Sequence, residues 1–163
     1  MELTGKKIAV LAEDVYEDLE LWYPVLRMRE AGDDVVVVGT GTKNSYESKH
    51  VYPVKVDIAT DAVKPEDYAA VIVPGGYAPD KMRRYPAMLN LVRGVFERGG
   101  IVAMICHAGW VAVSAGILKG KTVTSTPAIK DDLINAGAKW VDREAVVDGN
   151  LSSSRAPAGL PAF

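Results

Sequence analysis

Cysteine is almost missing from this sequence: Cys106 stands alone among 163 residues. No intramolecular disulfide can form, which fits a reducing compartment and leaves the sequon Asn150-Leu151-Ser152 without weight. Histidine is nearly as scarce. His50 and His107 are far apart and offer no ligand spacing with the one cysteine, so neither a metal nor a cofactor is expected. There is no excess of charge of one sign either. The formal net charge is −2, acids and bases are interleaved, and no basic patch, arginine-rich run or acidic tail points to nucleic acid. The longest apolar runs, Val35–Gly39 and Ile101–Cys106, are strand-sized and too short to span a bilayer. Near the N-terminus, Lys6-Lys7 leads into Ile8-Ala9-Val10-Leu11, which Glu13 and Asp14 cut off before a signal-peptide core could form; cytoplasmic residence is the expectation. Repeats, linkers and low-complexity tracts are also lacking, so residues 1–163 read as a single domain.

What is present is an alternation of apolar runs with helical-period segments, in a chain that is 48% hydrophobic and 25% charged and therefore able to build a core. Ile8–Ala12 reads as a buried strand. A helix follows, carrying Leu19, Trp22, Leu26 and Met28, and Gly32 closes it. Val35–Val38, nearly all valine, suits a parallel strand covered on both faces. Polar, glycine-containing Gly39–Tyr52 reads as a hairpin or excursion, with Tyr52–Val56 as an edge strand. Ala69–Val73 and Ile101–Ile105 are further central strands, separated by a helix over Ala87–Arg98 that Gly99-Gly100 ends. An Ala/Val helix to Leu118, a short strand at Val123-Thr124, a helix over Lys130–Ala136 and a hairpin of Ala145–Asn150 with Leu151–Ser154 complete the chain. The rhythm predicts a three-layer, doubly wound α/β sandwich around a mainly parallel sheet, flavodoxin-like in type. Ligands bind such sheets beyond the carboxyl ends of the strands. That rim holds Glu13–Glu20, Pro74–Asp80 and Cys106–Trp110.

Three features there carry chemistry. In Ile101–Gly109 a hydrophobic strand stops at a nucleophilic residue followed by small residues and a helix, the pattern of a nucleophile elbow. A lone cysteine at a strand end is more often a buried structural residue, but His107 next to it and acids on the same rim reverse that reading. A helix N-terminus would favour the Cys106 thiolate. In Val73-Pro74-Gly75-Gly76 the two glycines let the backbone approach a substrate, and the amides of Gly76 and His107 are candidate donors to an oxyanion. In Glu13-Asp14-Val15-Tyr16-Glu17-Asp18-Leu19-Glu20 most acids suit a helix start, while one of them, protonated, could donate to the sulfur; residue types alone leave open which. The tryptophans at 22, 110 and 140 read as core or interface residues, and Gly39-Thr40-Gly41-Thr42-Lys43 fits neither phosphate-loop nor dinucleotide spacing.

Several motifs occur together in order: Glu17-Asp18-Leu19-Glu20-Leu21 with Tyr23-Pro24, Pro74-Gly75-Gly76 with Ala78-Pro79-Asp80, Ile105-Cys106-His107, Lys130–Gly137 with Trp140-Val141, Val147-Asp148-Gly149-Asn150, and Ser153-Ser154-Arg155. Together they resemble the PfpI-type intracellular protease family of the class I glutamine amidotransferase-like superfamily, over essentially the whole chain. The resemblance implies Cys106 as nucleophile, His107 as its partner, and Glu17 as the buried glutamate bonded to the sulfur. It also implies Gly75, Gly76 and His107 around the substrate oxyanion, and Asp80 reaching the histidine of a neighbouring subunit in a dimer or an assembly of dimers. Three departures stand out: Ala108 where glycine is usual, Asp80 for a longer glutamate, and Thr126 where some members carry tyrosine. The chain ends at Phe163, where relatives usually enter a last helix.

A thiolate so placed would attack an electrophilic carbonyl. Glyoxalase III or deglycase action on glyoxal, methylglyoxal and their adducts, independent of glutathione, is the favoured expectation. An oligomeric cysteine peptidase or amidase is the alternative, and a thiol redox sensor or stress-response chaperone without turnover is a second. A glutamine amidotransferase is disfavoured, because no histidine follows His107.

Overall fold

The computed structural model describes residues 4–163. Its core is one seven-stranded sheet, built around β1 (Lys7–Ala12), which pairs in parallel with β2 (Asp34–Gly39) across α1 (Asp18–Glu30). The polar stretch after β2 forms a separate antiparallel hairpin of β3 (Ser45–Glu47) and β4 (Pro53–Lys55). The edge strand of the main sheet is β5 (Ile58–Ala59), parallel to β2, rather than the expected Tyr52–Val56. On the other side of β1 lies β6 (Ala70–Val73), followed by α2 (Ala78–Met82) and α3 (Pro86–Glu97). Next comes β7 (Ile101–Ile105), parallel to β6 and leading into α4 (Gly109–Ala115). Then β8 (Thr122–Val123), α5 (Lys130–Asn135) and β9 (Lys139–Trp140) form a small parallel annex. The closing hairpin of β10 (Ala145–Asp148) and β11 (Leu151–Ser154) joins the main sheet, with β11 parallel to β7. The strand order is β10-β11-β7-β6-β1-β2-β5, a mostly parallel sheet as the sequence predicts.

From β1 the chain winds one way to β2, and from β6 the other way to β7. With right-handed crossovers, α1 and α3 therefore cover opposite faces. The reversal falls between β1 and β6, where a ligand crevice is expected. Valine dominates the strands because both faces are covered: Val10, Val37, Val38, Val71 and Val102 are almost fully buried.

The helix α1 corrects the sequence reading. Its core face is Glu20, Leu21, Pro24 and Val25, while Leu19 and Leu26 point to solvent. A turn at 157–162 follows β11 and packs against α1. Between them an apolar groove of about 560 Å³ opens onto Ile8, Ile72 and Ala103 of the sheet and touches none of the rim segments around Cys106.

Candidate active site

The carboxyl ends of β1, β6 and β7 lie side by side, and each supplies one wall. Where β7 ends, Cys106 adopts φ +60°, a left-handed conformation that costs a non-glycine residue on the order of 1–3 kcal/mol. The surrounding structure imposes it. Ile105 and Ala108 on either side are fully buried, and the Cys106 carbonyl accepts from Thr126 N at 3.4 Å. A tight turn over Cys106–Ala108 then opens α4. Ala108 in place of glycine is accommodated without exposure, and the next position is tight: a Cβ on Gly109 would sit 3.0 Å from the Leu133 side chain and 3.1 Å from that of Ile129, which would have to give way. The result is a half-buried thiol presented at the top of the sheet, the elbow expected from the sequence.

The β6 wall is Pro74-Gly75-Gly76. Gly76 has φ +76°, and any Cβ on it would strike Glu17 N and the Val15 carbonyl at 2.5 Å. Gly75 is a spacer. A Cβ there would overlap the Glu20 carboxyl and lie 2.8 Å from Cys106 Cβ. The N–H groups of His107 and Gly76 favour the ionised form of the Cys106 sulfur, against burial and Glu20.

The β1 wall contributes the first turn of α1. Glu17 is its N-cap, with Oε2 accepting from Glu20 N at 2.9 Å, and its own N–H donates to the Gly75 carbonyl at 3.2 Å. Sequence resemblance assigns Glu17 to the sulfur; the structure puts Glu20 there instead. Glu20 is fully buried, and its Oε2 accepts from Gly75 N at 2.7 Å beside the cysteine. The register explains the difference. Residues 20, 21, 24 and 25 share the inward stripe of the helix, whereas 17 precedes it as a cap. The signal was available in Leu21 and Val25, whose spacing marks the buried face and places Glu20 on it.

Burial pushes the Glu20 carboxyl up to about 7, against which the Gly75 N–H works. Burial, followed by the charge of Glu20, pushes the Cys106 thiol up to about 12. The expectation of a depressed cysteine pKa is therefore corrected for the state in which Glu20 is ionised. Each charge disfavours the other, so a thiolate here calls for a neutral Glu20. Glu20 Oε1 is buried without a hydrogen-bond partner.

His107 Nδ1 lies 3.3 Å from Cys106 Sγ. Burial and then Lys49 lower its pKa, which favours the neutral imidazole. Its ring packs 5.2 Å from Trp110, which in turn meets Tyr77 edge-on and bonds Asp132 at 2.8 Å. Asp80, on α2, is paired with Arg84 one turn along. The sequence reading missed Val15, a β-branched residue at φ +66°. Its N–H bonds Glu47 in the β3 strand and its carbonyl accepts from Tyr77 and Ala78, tying three segments together. Nothing in the residue type signals that role.

A strained cysteine at the carboxyl rim of a doubly wound sheet, with a neighbouring histidine and a glycine turn, defines a class of α/β proteins built on a nucleophile elbow. The chain belongs to the DJ-1/PfpI family, whose model matches residues 6–163. It is 45% identical to "Deglycase PH1704" of Pyrococcus horikoshii over 157 residues, covering 96% of this chain and 94% of that protein. It is 39% identical to "Putative cysteine protease YraA" of Bacillus subtilis over 159 residues, covering 98% and 94%. Among solved structures, a two-domain protein of Anabaena variabilis containing DJ-1/ThiJ/PfpI-like and ferritin-like domains superposes with a TM-score of 0.93 at 40% identity. That match covers 95% of this chain and 45% of the other. Among the described residues no helix is long and apolar enough to cross a membrane.

Proposed function

We propose that this protein is a cysteine-dependent enzyme of the deglycase type, acting on glyoxal, methylglyoxal and their early adducts without glutathione. The observation that carries the reading is Glu20, a buried carboxyl with a pKa of about 7 set against the sulfur. Such a group exchanges protons at neutral pH, which proton transfer on a small dicarbonyl requires. The name of the Pyrococcus horikoshii relative supports it.

In the proposed sequence the thiol proton passes to Glu20 as Cys106 Sγ bonds to the aldehyde carbon. The carbonyl electron pair moves to oxygen, which receives hydrogen bonds from Gly76 and His107 N–H. With an amine or thiol adduct, the C–N or C–S bond to that group breaks as the Cys106 C–S bond forms, and the proton that Glu20 took from the thiol passes through the neutral His107 to the leaving group. The aldehyde-derived proton is then removed and one is returned at the adjacent carbon, giving a thioester. Water cleaves the thioester to a hydroxy acid and regenerates the thiol. The net change from methylglyoxal is addition of one water to give lactate. Arg84 engages Asp80 through Oδ2, so Asp80 of a second copy could orient His107 through its other oxygen, and we infer that assembly precedes full activity.

Peptide hydrolysis shares the first step and is suggested by the Bacillus subtilis name. Lactate release from methylglyoxal and cleavage of a fluorogenic peptide, each measured on wild type, Cys106→Ala and Glu20→Gln, separates the two. Lactate formation that both substitutions abolish is expected. Peptide cleavage without lactate formation, or full activity of Cys106→Ala on both substrates, overturns the reading.

A further inference from the structure

One charged side chain at this rim has no part in the mechanism above. Lys49 lies in the turn between β3 and β4, and its backbone is fixed to the β1 wall, its N–H donating to the Tyr16 carbonyl at 2.9 Å. The turn is held by Ser48, whose Oγ donates to Asp18 at 2.6 Å and accepts from the N–H groups of His50 and Tyr52. His50 Nδ1 adds a second contact to Asp18 at 2.8 Å. Tyr16 bridges both Ser48 and Gly76, so the turn that carries Lys49 is joined through one residue to the glycine turn beside the sulfur. Burial and then the positive charge of the Lys49 ammonium lower the His107 pKa.

That ammonium is not saturated. Its anionic neighbour is Glu17, at 3.6 Å, beyond the roughly 2.7–2.9 Å of a charge-assisted hydrogen bond. Glu17 Oε2 is already committed to Glu20 N. An ammonium carries three donors, and the Lys49 side chain is 42% exposed. Several other cations are engaged elsewhere: Arg83 with Ser114 and the Trp110 face, Arg84 with Asp80, and Lys43 with Asp14.

Building on the deglycase reading, we propose that Lys49 is a specificity-determining residue. Its ammonium receives a carboxylate carried by the leaving half of the substrate, approaching from the side away from Glu17. The enzyme then prefers dicarbonyl adducts on small carboxylate-bearing amines or thiols over otherwise identical neutral adducts.

The test uses two methylglyoxal adducts that differ only in charge, those of N-acetylcysteine and of N-acetylcysteine amide, with lactate as the readout. Wild type is expected to show a kcat/KM about two- to fivefold higher for the carboxylate form, the size of one partly exposed ionic contact. The ratio is expected to fall toward one in Lys49→Met, to survive largely in Lys49→Arg, and to shrink with added salt. An indirect effect through Glu20 or His107 alters both substrates alike and leaves the ratio standing. Turnover by wild type with a ratio near one, or a ratio unchanged in Lys49→Met, overturns the role of Lys49. Absence of turnover on both adducts and on methylglyoxal itself overturns the deglycase reading instead.

Discussion

Replacing Glu20 with glutamine should make the protein more stable at alkaline pH while disabling it. Folding raises the Glu20 carboxyl from its ordinary 4.5 to about 7. A raised carboxyl pKa means that the folded state holds the proton more tightly than the unfolded chain. Below pH 4.5 the group is neutral in both states and costs nothing. As pH climbs through 4.5 toward 7, the unfolded chain ionises freely while the folded chain resists, and stability is lost. Above pH 7 the loss is complete, about 3 kcal/mol for a shift of this size. Glutamine has the same shape, keeps an oxygen for Gly75 N–H, and carries no charge to bury. Glu20→Gln should therefore unfold several degrees higher than wild type at pH 8, given roughly 2–4 °C per kcal/mol for a domain this large, and the gain should vanish near pH 4.5. Thermal melts at pH 4.5, 6, 7 and 8 give the comparison, with lactate formation expected to fall at least about a hundredfold in parallel. A variant no more stable than wild type at pH 8, or one whose gain is the same at every pH, would refute the assignment of Glu20 as a buried group carrying an unfavourable charge.

Three further outcomes follow from the same geometry. Cys106→Gly relieves the φ +60° strain and should exceed Cys106→Ala in stability by about 1 kcal/mol in urea titrations, both being inactive; the reverse order contradicts an imposed left-handed elbow. Gly75→Ala drives a methyl onto Cys106 Cβ and the Ile105 carbonyl, at 2.8 and 2.9 Å, and should lower the urea midpoint and turnover together; a fully active Gly75→Ala argues against the spacer role. Asp18, despite partial burial, has its pKa lowered by the Ser48 and His50 bonds, so the turn it holds contributes stability above about pH 4 that is lost as pH falls through the lower folded value. Asp18→Asn should open the 48–52 turn to limited proteolysis at pH 7, and an unchanged cleavage pattern would speak against that clamp.

Much of this architecture was legible in the residues. The central strands, the two long helices and the closing hairpin were readable because valine-rich runs and helical spacing report burial directly. The elements that were missed, α2, β5 and β9, are two to five residues long and exist because a neighbour offers them partners; no local pattern encodes that. The elbow was legible for a related reason: a nucleophile between a β-strand and small residues has few ways to fold. The acid was misplaced for the opposite reason. Glu17 and Glu20 are the same residue type three positions apart, and only the direction of the buried stripe separates a cap from a partner of the sulfur. Leu19 and Leu26 drew the eye to the wrong face of α1, since exposed leucines look like core until the packing is known.

The opening turn of α1 joins two duties in four residues. Glu17 starts the helix by capping Glu20 N, and the residue it caps governs the sulfur. The coupling runs one way. A substitution that frays the cap should let the Glu20 carboxyl swing away from Gly75, whereas a change to the Glu20 side chain leaves the cap in place, because Glu17 holds the Glu20 backbone N–H. An evolving or engineered variant that gives up Glu17 must transfer the capping duty to a new residue if the acid is to stay beside the sulfur.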